Sequence, residues 1–586
     1  MGQLRRPTTH PLPRLIRRVG RIIVRQLRLL NWFHRFRLVG PHPIRLLAVP
    51  EDPRPGDPVR GARLITGRFV EAGQILTKAG KNGIAAETWS AQEIWTARGI
   101  SDGWRRWLHS FGWLRDLDAT SDSDTARQQA EDLLRAWLDV HDRWQSFGWA
   151  PEILARRIIA WMCHAPLILS TGDHIYRSRV LNSLARQSRH LARRIEDAEA
   201  GPDRMIAVIG LCYSGLFLPQ GGARLRRARQ LLERELNTVV LPDGGVVTRS
   251  PTDAFTLFED LIGLKRAFER SREEVPDGLV KALDRLAPAI RALTHGDGDL
   301  ALFNGAYEDR NRRVLDALGD DYAGMHAHDN GLHSGFQRLA RGDTVVIMDA
   351  GPPSPLAYSH NNHAGTLSFE MSVGEDRLVV NCGSLVSLPD PAATPLANVK
   401  VAELNLMARS TAAHSTLVVN DTNSSQVLDN GLIGDGPTVV DFDRREDETS
   451  GQGAIWFEAS HDGYRRRYGL DHRRRLYLSA DGTDFRGEDV LIAKRGRRPL
   501  KFDVRFDLHP DVVVEQDRSD DAFVLSLDGG ARLRFRVRGG VAALDESLYL
   551  GRRDRPVRSK QIVVTGNVQP GETVVNWSFR RLDGDD

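Results

Sequence analysis

The sequence predicts a multidomain protein in which an α-helical domain precedes an antiparallel β domain. Three observations support this prediction: the length of the chain, a helical spacing of apolar residues up to about residue 330, and a change to an alternating pattern from about residue 335. With 586 residues the chain exceeds what one hydrophobic core can organise. A hydrophobic content of 41% and a charged content of 27% are typical of a folded globular protein.

Residues 61–334 form the predicted helical domain. Seven segments between residues 125 and 293, such as PEILARRIIAWMC and ARLRRARQLLERELN, place apolar residues at positions i, i+3, i+4 and i+7. Short loops separate them, so consecutive helices should lie antiparallel as stacked pairs, in a solenoid or a toroid. Nine of the twelve Trp residues lie between Trp89 and Trp161, and they serve either core packing or stacking against sugar rings along a groove.

Residues 335–586 form the predicted β domain. Short segments such as TVVIMDA, LKFDVRFDL and TVVNWSF alternate apolar and polar residues, and turn pairs such as Asp481-Gly482 divide them. Nine or more such strands without intervening helices favour an antiparallel sandwich or barrel.

Residues 1–60 are predicted to form a basic amphipathic arm followed by a Pro-rich linker. No acidic residue precedes Glu51, and arginines flank an apolar helical face made of Leu15, Ile16, Val19, Ile22, Ile23 and Leu27. Such a helix can lie on an anionic membrane surface, which makes that surface a candidate partner; the alternative is a disordered or docked basic arm. No folded nucleic-acid recognition motif follows the arm, so nucleic acid is not an expected partner.

The compartment is predicted from the absence of apolar targeting segments. Arginines interrupt the apolar pairs near the beginning of the chain, so no secretory signal is expected there. No run of about 18 apolar residues occurs, so no transmembrane helix is expected either. These features favour the cytoplasm or the inner face of a membrane. Three cysteines without CxxC spacing leave the redox compartment open.

Three segments of the β domain carry the most specific pattern: SHNNHAGTLSFEMSVGEDRLVVNCG at 359–383, RSTAAHSTLVVNDTNSSQ at 409–426 and SHDGYRRRYGLDHRRRLYL at 460–478. Together they resemble the heparinase II/III group of polysaccharide lyases. The resemblance implies an incomplete (α/α) toroid followed by an antiparallel β-sandwich. It also implies an acidic, uronate-containing polysaccharide as partner and a place in the periplasm or cell envelope, in contrast to the compartment favoured above.

The resemblance implies a metal site in the sandwich, built from a His, an Asp and a second His. The matching positions of this chain are His363, Asn381 and His414. Zinc favours neutral imidazoles and a carboxylate, and a three-ligand site leaves one position for water. Because Asn381 replaces the carboxylate, two alternatives stand: a zinc ion held by two imidazoles and an amide, or a hydrogen-bonded cluster without metal.

The chemistry that the resemblance implies is β-elimination from a uronic acid. One group must neutralise the carboxylate, a second must remove the C5 proton, and a third must protonate the leaving oxygen. The family places a catalytic His two residues before the metal His, where this chain has Asn361, with His360 beside it. Tyr307, which follows a Gly- and Asp-rich segment, and Tyr464 are the candidates for proton transfer.

Four further residues are candidates for substrate binding. Arg249 and Arg409 can grip carboxylates through two parallel hydrogen bonds; the alternative for each is an internal salt bridge. Asn304 lies near Tyr307, and His461 either reaches the substrate from a strand end or forms a buried pair with Tyr464.

Two functions from different classes follow from the sequence. The first is a lyase that acts by β-elimination on a uronate-containing polysaccharide. The second is a protein that binds an envelope glycan without catalysis, or with altered chemistry. The replacements at Asn361 and Asn381 keep the second alternative open, because neither amide can act as a base.

Overall fold

The computed structural model of the protein describes residues 2–5, 43, 45–71, 74–79, 85–308, 313–322, 324–384, 401–447, 453–493, 499–517, 522–552 and 556–582. The apolar face predicted between Leu15 and Leu27, and with it the predicted membrane contact, lies outside these residues. Within them, no helix is both long and apolar enough to cross a membrane.

The segments with helical spacing form helices. In chain order the helices are α1 (Pro58–Ile65), α2 (Ala91–Trp95), α3 (Asp102–Ser110), α4 (Leu114–Asp118), α5 (Ser123–His141), α6 (Pro151–Cys163), α7 (Ala165–Leu169), α8 (His174–Arg194), α9 (Pro202–Phe217), α10 (Gly222–Val239), α11 (Pro251–Arg270) and α12 (Asp277–Ala292). Two short hairpins lie between α1 and α2, formed by β2 (Val70–Glu71) with β3 (Gln74–Ile75) and by β4 (Lys78–Ala79) with β5 (Ala85–Ala86).

Capping residues and buried aromatic rings define the long helices. Asp122 accepts a hydrogen bond from the Thr125 amide at the start of α5 (3.1 Å), which satisfies one of the amides that a helix leaves unpaired. Trp137 and Trp161 are at most 1% exposed, and their rings meet edge to face with centroids 5.3 Å apart. Of the two roles considered for the Trp cluster, these rings therefore serve core packing.

The described part of the β domain forms two antiparallel sheets. Its strands, with β1 from the beginning of the chain, are β1 (Gly2–Arg5), β6 (Phe336–Arg341), β7 (Thr344–Asp349), β8 (Phe369–Val373), β9 (Asp376–Val380), β10 (Leu417–Val419), β11 (Val439–Glu446), β12 (Ile455–His461), β13 (Leu470–Leu478), β14 (Asp484–Ala493), β15 (Lys501–Leu508), β16 (Val513–Asp517), β17 (Ala522–Ser526), β18 (Arg532–Arg538), β19 (Val541–Tyr549), β20 (Val557–Asn567) and β21 (Glu572–Arg581). Its short helices are α13 (Arg313–Ala317), α14 (Gly319–Tyr322), α15 (Val401–Ala408) and α16 (Arg465–Tyr468).

The order of the strands is not their order in the chain. One sheet runs β1-β11-β12-β13-β14-β21-β18-β17-β16, and the other runs β19-β20-β15-β9-β8-β7-β6 with β10 added alongside β15. A helical domain followed by an antiparallel sandwich is the predicted fold class, and the structure confirms it.

The core of the sandwich is built from alternate residues of both sheets. Phe369 on β8 stacks on Trp577 on β21, with ring centroids 5.3 Å apart and planes at 5°. Both rings lie in one continuous cluster of buried apolar side chains that spans the two sheets. Because successive side chains of a strand point to opposite faces, this inner cluster leaves the intervening residues of the nine-stranded sheet on its other face.

An ion pair without exposed surface lies inside this core. Arg474 donates from Nε and Nη2 to Asp489 at 2.8 and 3.0 Å, and both side chains are 0% exposed. His472 and Trp577 also bond to the same carboxylate. Although burial by itself would raise the pKa of Asp489, Arg474 and His472 hold that pKa below its ordinary value.

The chain divides into two compact units whose boundaries differ from the predicted ones. One unit comprises residues 8–239 and 257–283, and the other comprises residues 1–7, 240–256 and 284–586. Segments predicted to belong to the helical domain thus belong with the sandwich, because they bond to it: Glu308, for example, donates from its amide to the Gly551 carbonyl at 2.8 Å. Gly2–Arg5, predicted as part of the arm, forms β1 and pairs with β11.

Replacement of Asp489 by Ala should destabilise the protein by about 3–5 kcal/mol, because it leaves the Arg474 charge buried without a partner. The free energy of unfolding from urea titration measures this loss. Glu488→Ala is the matched control: the neighbouring side chain pairs with the half-exposed Arg475 at 2.7 Å, and its loss should cost less than about 1 kcal/mol. Equal losses in the two variants would contradict the role given to the buried pair.

Candidate functional site

Two loops of the sandwich unit bring predicted site residues together. The first loop joins β7 to β8 and carries His363; the second lies between α15 and β10 and carries Arg409 and His414. The Ala364 amide donates to the Arg409 carbonyl at 2.9 Å, and the Thr411 hydroxyl donates to the Ala364 carbonyl at 2.7 Å. These bonds fix the two loops to one another.

His363 and His414 form a hydrogen-bonded pair whose proton positions follow from their partners. His414 Nδ1 lies 2.7 Å from the Ser410 carbonyl, which can only accept, so this nitrogen carries the proton. In a neutral ring the other nitrogen, Nε2, is then an acceptor, and it accepts a hydrogen bond from His363 Nδ1–H at 3.0 Å. His363 is therefore left with a lone pair on Nε2, which has no hydrogen-bond partner among the described residues.

Both imidazoles are neutral because they are buried. Desolvation lowers the pKa of His414 to about 4. Burial holds the pKa of His363 well below its ordinary value. The neighbouring His414 and Arg409 lower it further, because a proton on His363 would face their positively charged forms. His363 is 5% exposed and His414 is 1% exposed, so this pair stays uncharged at neutral pH.

Arg409 is a buried cation that no carboxylate balances within the described residues. Its Nε and Nη2 donate to the Asn362 carbonyl at 2.9 and 2.6 Å, and its side chain forms no salt bridge in that part of the chain. The residue is 6% exposed, and burial lowers the pKa of its guanidinium to about 10. A buried charge without a counter-ion is costly, and such groups mark sites that receive an anion.

Asn304 and Asn362 hold the His363 loop through backbone groups. Asn304 accepts from the His363 amide at 3.1 Å and donates to the Arg249 carbonyl at 2.9 Å. Asn362 donates to the Thr248 carbonyl at 2.7 Å. Asn304 was expected to bind substrate; its amide is instead occupied by the protein backbone, so the structure assigns it a positioning role. Its φ of 47° lies in the left-handed region, which Asn tolerates better than most residues.

Asn381 is tied to Glu370, a carboxylate with no exposed surface. The amide nitrogen and the side chain of Asn381 donate to Glu370 Oε1 at 2.9 and 3.0 Å. The other oxygen accepts from the Leu302 amide at 3.0 Å and from His295 at 3.1 Å. The Asn381 oxygen accepts from the Ser415 amide at 3.2 Å. Glu370 has no predicted role, although an acidic residue inside the apolar segment SFEMSV is a visible signal in the sequence.

Comparisons with known proteins identify the family. A model of the heparinase II/III-like C-terminal domain matches residues 324–578. FtsZ-localized protein C of Caulobacter vibrioides (strain NA1000 / CB15N) is 33% identical over 576 residues, which cover 94% of this chain and 94% of that protein. The protein belongs to the heparinase II/III-like family.

Solved structures of lyases share the fold of this family member. The match to a heparan sulfate lyase HepC mutant from Pedobacter heparinus covers 94% of this chain and 86% of the lyase chain, with 17% identity and a TM-score of 0.60. A structure of heparinase III matches 95% of this chain and 89% of its own, with 12% identity and a TM-score of 0.69. At these identities the likeness concerns the fold alone.

The metal that the family implies is not matched by the donor groups at these positions. The Asn381 oxygen is used by the Ser415 amide and its nitrogen by Glu370, so this side chain is not placed as a third ligand for His363 and His414. No group of three or more His, Cys, Asp or Glu arranged to hold a metal occurs among the described residues. The hydrogen-bonded pair accounts for both histidines, and zinc at this site stays a prediction.

The catalytic candidates on the first loop differ in their exposure. His360 and Asn361 are exposed, while Tyr307 is half-buried. Asn361 lies next to Gly305: a Cβ at Gly305 would come within 3.0 Å of the Asn361 side chain. The backbone of residues 304–305 thus approaches the loop closely, and the roles given to these three side chains stay predictions.

Arg249 is held in an internal network, which was one of the two alternatives considered for it. Its guanidinium bonds to the Asp349 carboxylate and donates to the carbonyls of Ser334 and Pro352, both at 2.7 Å. The donors that would grip a substrate carboxylate have these internal partners in the structure, and the contact of Arg249 with substrate stays a prediction.

Tyr464 and His461 lie in the sandwich core rather than at a substrate surface. Tyr464 is 1% exposed and donates to the Leu417 carbonyl at 3.0 Å. His461 is 3% exposed, with its ring centroid 5.7 Å from that of Tyr464 and its Nε2 3.3 Å from His472. The two residues thus form the buried pair that was the alternative, and their catalytic and substrate-binding roles stay predictions.

Acidification should destabilise the protein through His414. The pKa of His414 is about 4 in the folded state against an ordinary value of 6.5. Between these pH values His414 is protonated in the unfolded chain but not in the folded chain. The stability that depends on neutral His414 is complete above pH 6.5 and is lost as the pH falls towards 4, by about 3 kcal/mol.

Urea titrations at several pH values measure this loss, and the His414→Gln variant isolates it from other buried histidines. The difference in stability between the wild type and this variant should shrink on going from pH 7 to pH 4.5. A difference that does not change with pH would contradict the assignment.

Proposed function

We propose that the protein acts on a uronate-containing acidic polysaccharide by β-elimination, and that Arg409 receives the uronate carboxylate. The observation that carries this proposal is the buried guanidinium of Arg409 without a carboxylate partner in the described residues. A substrate carboxylate would supply the missing counter-charge and could accept charge-assisted hydrogen bonds from Nη1, because Nε and Nη2 already donate to the carbonyls of Asn362 and Ser359. Neutralising that carboxylate also favours loss of the adjacent C5 proton.

His363 is the base of the proposed reaction. Its pairing with His414 leaves a lone pair on Nε2, and its low pKa keeps that nitrogen unprotonated at neutral pH. The His414–Ser410 bond orients the pair. The charge of Arg409 disfavours a protonated His363, and a bound carboxylate offsets that charge, so His363 can accept the C5 proton only while the carboxylate is bound. Breaking the C5–H bond forms the C4–C5 double bond as the glycosidic oxygen leaves.

The leaving oxygen needs a proton, and the exposed side of the first loop supplies the candidates. His360 and the half-buried Tyr307 each carry a group able to donate one, and the Asn361 amide can donate a hydrogen bond to the developing enolate. Neither Asn361 nor any other amide can replace the base. This limitation makes His363 the essential residue of the proposal.

The second candidate is a protein that binds an acidic glycan without cleaving it, at the cellular location of its relative. FtsZ-localized protein C is named for its localisation with FtsZ, and it shares 33% identity with nearly the whole of this chain, against 17% for the heparan sulfate lyase. In this alternative the chain localises with FtsZ as well, and the Arg409 site binds an acidic sugar without cleaving it.

The two candidates are separated by one assay on purified protein. A panel of uronate polysaccharides is incubated with it, and the ultraviolet absorbance of the unsaturated product is followed together with binding by calorimetry. Product formation supports elimination. Binding without product supports the second candidate, and neither binding nor product overturns both.

Arg409→Ala should lower kcat/KM about 100-fold, which corresponds to the loss of roughly two charge-assisted hydrogen bonds, and Arg409→Lys should restore part of it. His363→Gln should lower kcat by at least about 100-fold while KM changes little, because it removes the base but not the carboxylate contact. Arg179→Ala, an exposed arginine on α8 that pairs with Asp139, is the control and should retain full activity. A His363→Gln enzyme with unchanged kcat would exclude His363 as the base.

The zinc implied by the family has its own measurement. Elemental analysis of the protein as purified, and of His363→Ala, reports the metal bound per chain. A wild type with one zinc that the variant loses would establish the predicted site. Equal contents in the two proteins would rule it out and leave the hydrogen-bonded pair.

A further inference from the structure

One row of side chains crosses the outer face of the nine-stranded sheet. Directly paired positions on successive strands place these residues next to one another: Arg445 on β11, Trp456 on β12, Tyr477 on β13, Arg486 on β14, Ser578 on β21 and Arg536 on β18. With strands about 4.8 Å apart, the row is about 24 Å long, which is the length of several sugar units. Apolar chain neighbours of the row, such as Ile455, Leu476 and Phe579, point into the core, so the register of the sheet places the row on the outer face.

The centre of the row is an aromatic pair open to solvent. Trp456 is 46% exposed, and it is the only aromatic residue among the exposed large hydrophobic residues of the described part of the chain. Its ring centroid lies 5.2 Å from that of Tyr477. The buried tryptophans of this protein pack in its core. Trp456 is exposed on a rigid strand instead, which is typical of a residue that contacts a ligand. The apolar C–H face of a pyranose ring can stack on such a surface.

Arginines border the aromatic pair on both sides. The side chain of Arg445 is 77% exposed and that of Arg486 is 61% exposed. Among the described residues Arg445 donates only from Nε, to Asp443 at 2.9 Å, so its two terminal nitrogens have no partner there. Arg486 bonds to Asp484 through Nε and Nη2, which leaves Nη1. A carboxylate on a sugar that stacks at the centre can reach these donors.

The row continues into a basic strand. On β18 the exposed face carries arginine at every second position from Arg532 to Arg538, and Arg580 on β21 lies beside Arg534. The acidic residues Asp443, Glu458 and Asp484 lie in the adjoining positions of the same face, outside the row itself. A ligand no wider than one chain would therefore contact arginines and rings along its length.

We propose that this row binds a linear acidic polysaccharide at a surface site separate from the Arg409–His363 site. The combination of stacking rings with flanking arginines in one line matches a chain of sugars that carry carboxylates. A membrane is the less suitable occupant, because a flat bilayer would also meet Asp443, Asp484 and the ion-paired Glu458 in the adjoining positions. The surface site would hold the polymer by multiple contacts and raise its local concentration.

The test uses the full chain with Arg409→Ala, in which the proposed active site is impaired, and polygalacturonate as the probe. Calorimetry should still detect polymer binding in this background. Adding Trp456→Ala should weaken it at least about 10-fold, and Trp456→Phe should recover most of the loss. Adding Arg445→Ala and Arg486→Ala together should weaken binding and reduce its dependence on salt. Ile175→Ala and Arg179→Ala, exposed residues of α8, are the matched controls and should change the affinity less than about twofold.

Three outcomes would overturn the proposal. The first is an affinity unchanged by Trp456→Ala and by Tyr477→Ala. The second is complete loss of polymer binding with Arg409→Ala alone, which would leave no second site. The third is equal binding of neutral dextran, or Trp456-dependent binding of phosphatidylglycerol vesicles without binding of the polymer. Absence of elimination activity affects none of these measurements, so the surface site and the proposed reaction fail independently.

Discussion

The carboxylate of Glu370 joins the hairpin of β8 and β9 to the segment that contains His295 and Leu302, which lies far earlier in the chain. It has no exposed surface, and it accepts hydrogen bonds from the Leu302 amide, from His295 and from both donors of Asn381. Burying a carboxylate is costly unless its lone pairs are satisfied, so these partners can move only together. Through Asn381 and the Ser415 amide this network reaches the residue after His414. The position of the histidine pair therefore depends on a charged group that does not itself face the site.

Burial gives the candidate site its chemical character. The same burial that keeps His363 and His414 neutral also lowers the pKa of Arg409, which has no carboxylate partner in the described residues. A neutral base beside an unbalanced cation is suited to an anionic substrate, whereas in water both groups would be less specific.

This family member shares its fold with solved lyases, but the shared fold does not determine the residues at its candidate site. Helical periodicity and strict alternation were sufficient to predict the helices, the strands and their order along the chain, because those patterns reflect which face of each element is buried. They did not predict that residues 240–256 belong with the sandwich, since that depends on bonds such as the one between Arg249 and Asp349. Nor could they separate the buried Tyr464 from the half-buried Tyr307, two residues of one type whose surroundings come from distant strands.

The sequence by itself determined the fold class, the two regions, and the motif residues His363, Asn381, Arg409 and His414, because short-range spacing and a family motif are written along the chain. Only the tertiary structure decided which arginine is balanced. Arg249 meets Asp349 while Arg409 meets carbonyl groups, and no local pattern around either residue encodes that difference. The same holds for the row through Trp456 and Tyr477: each residue is an ordinary outward position of its own strand, and only the pairing register of separate strands aligns them.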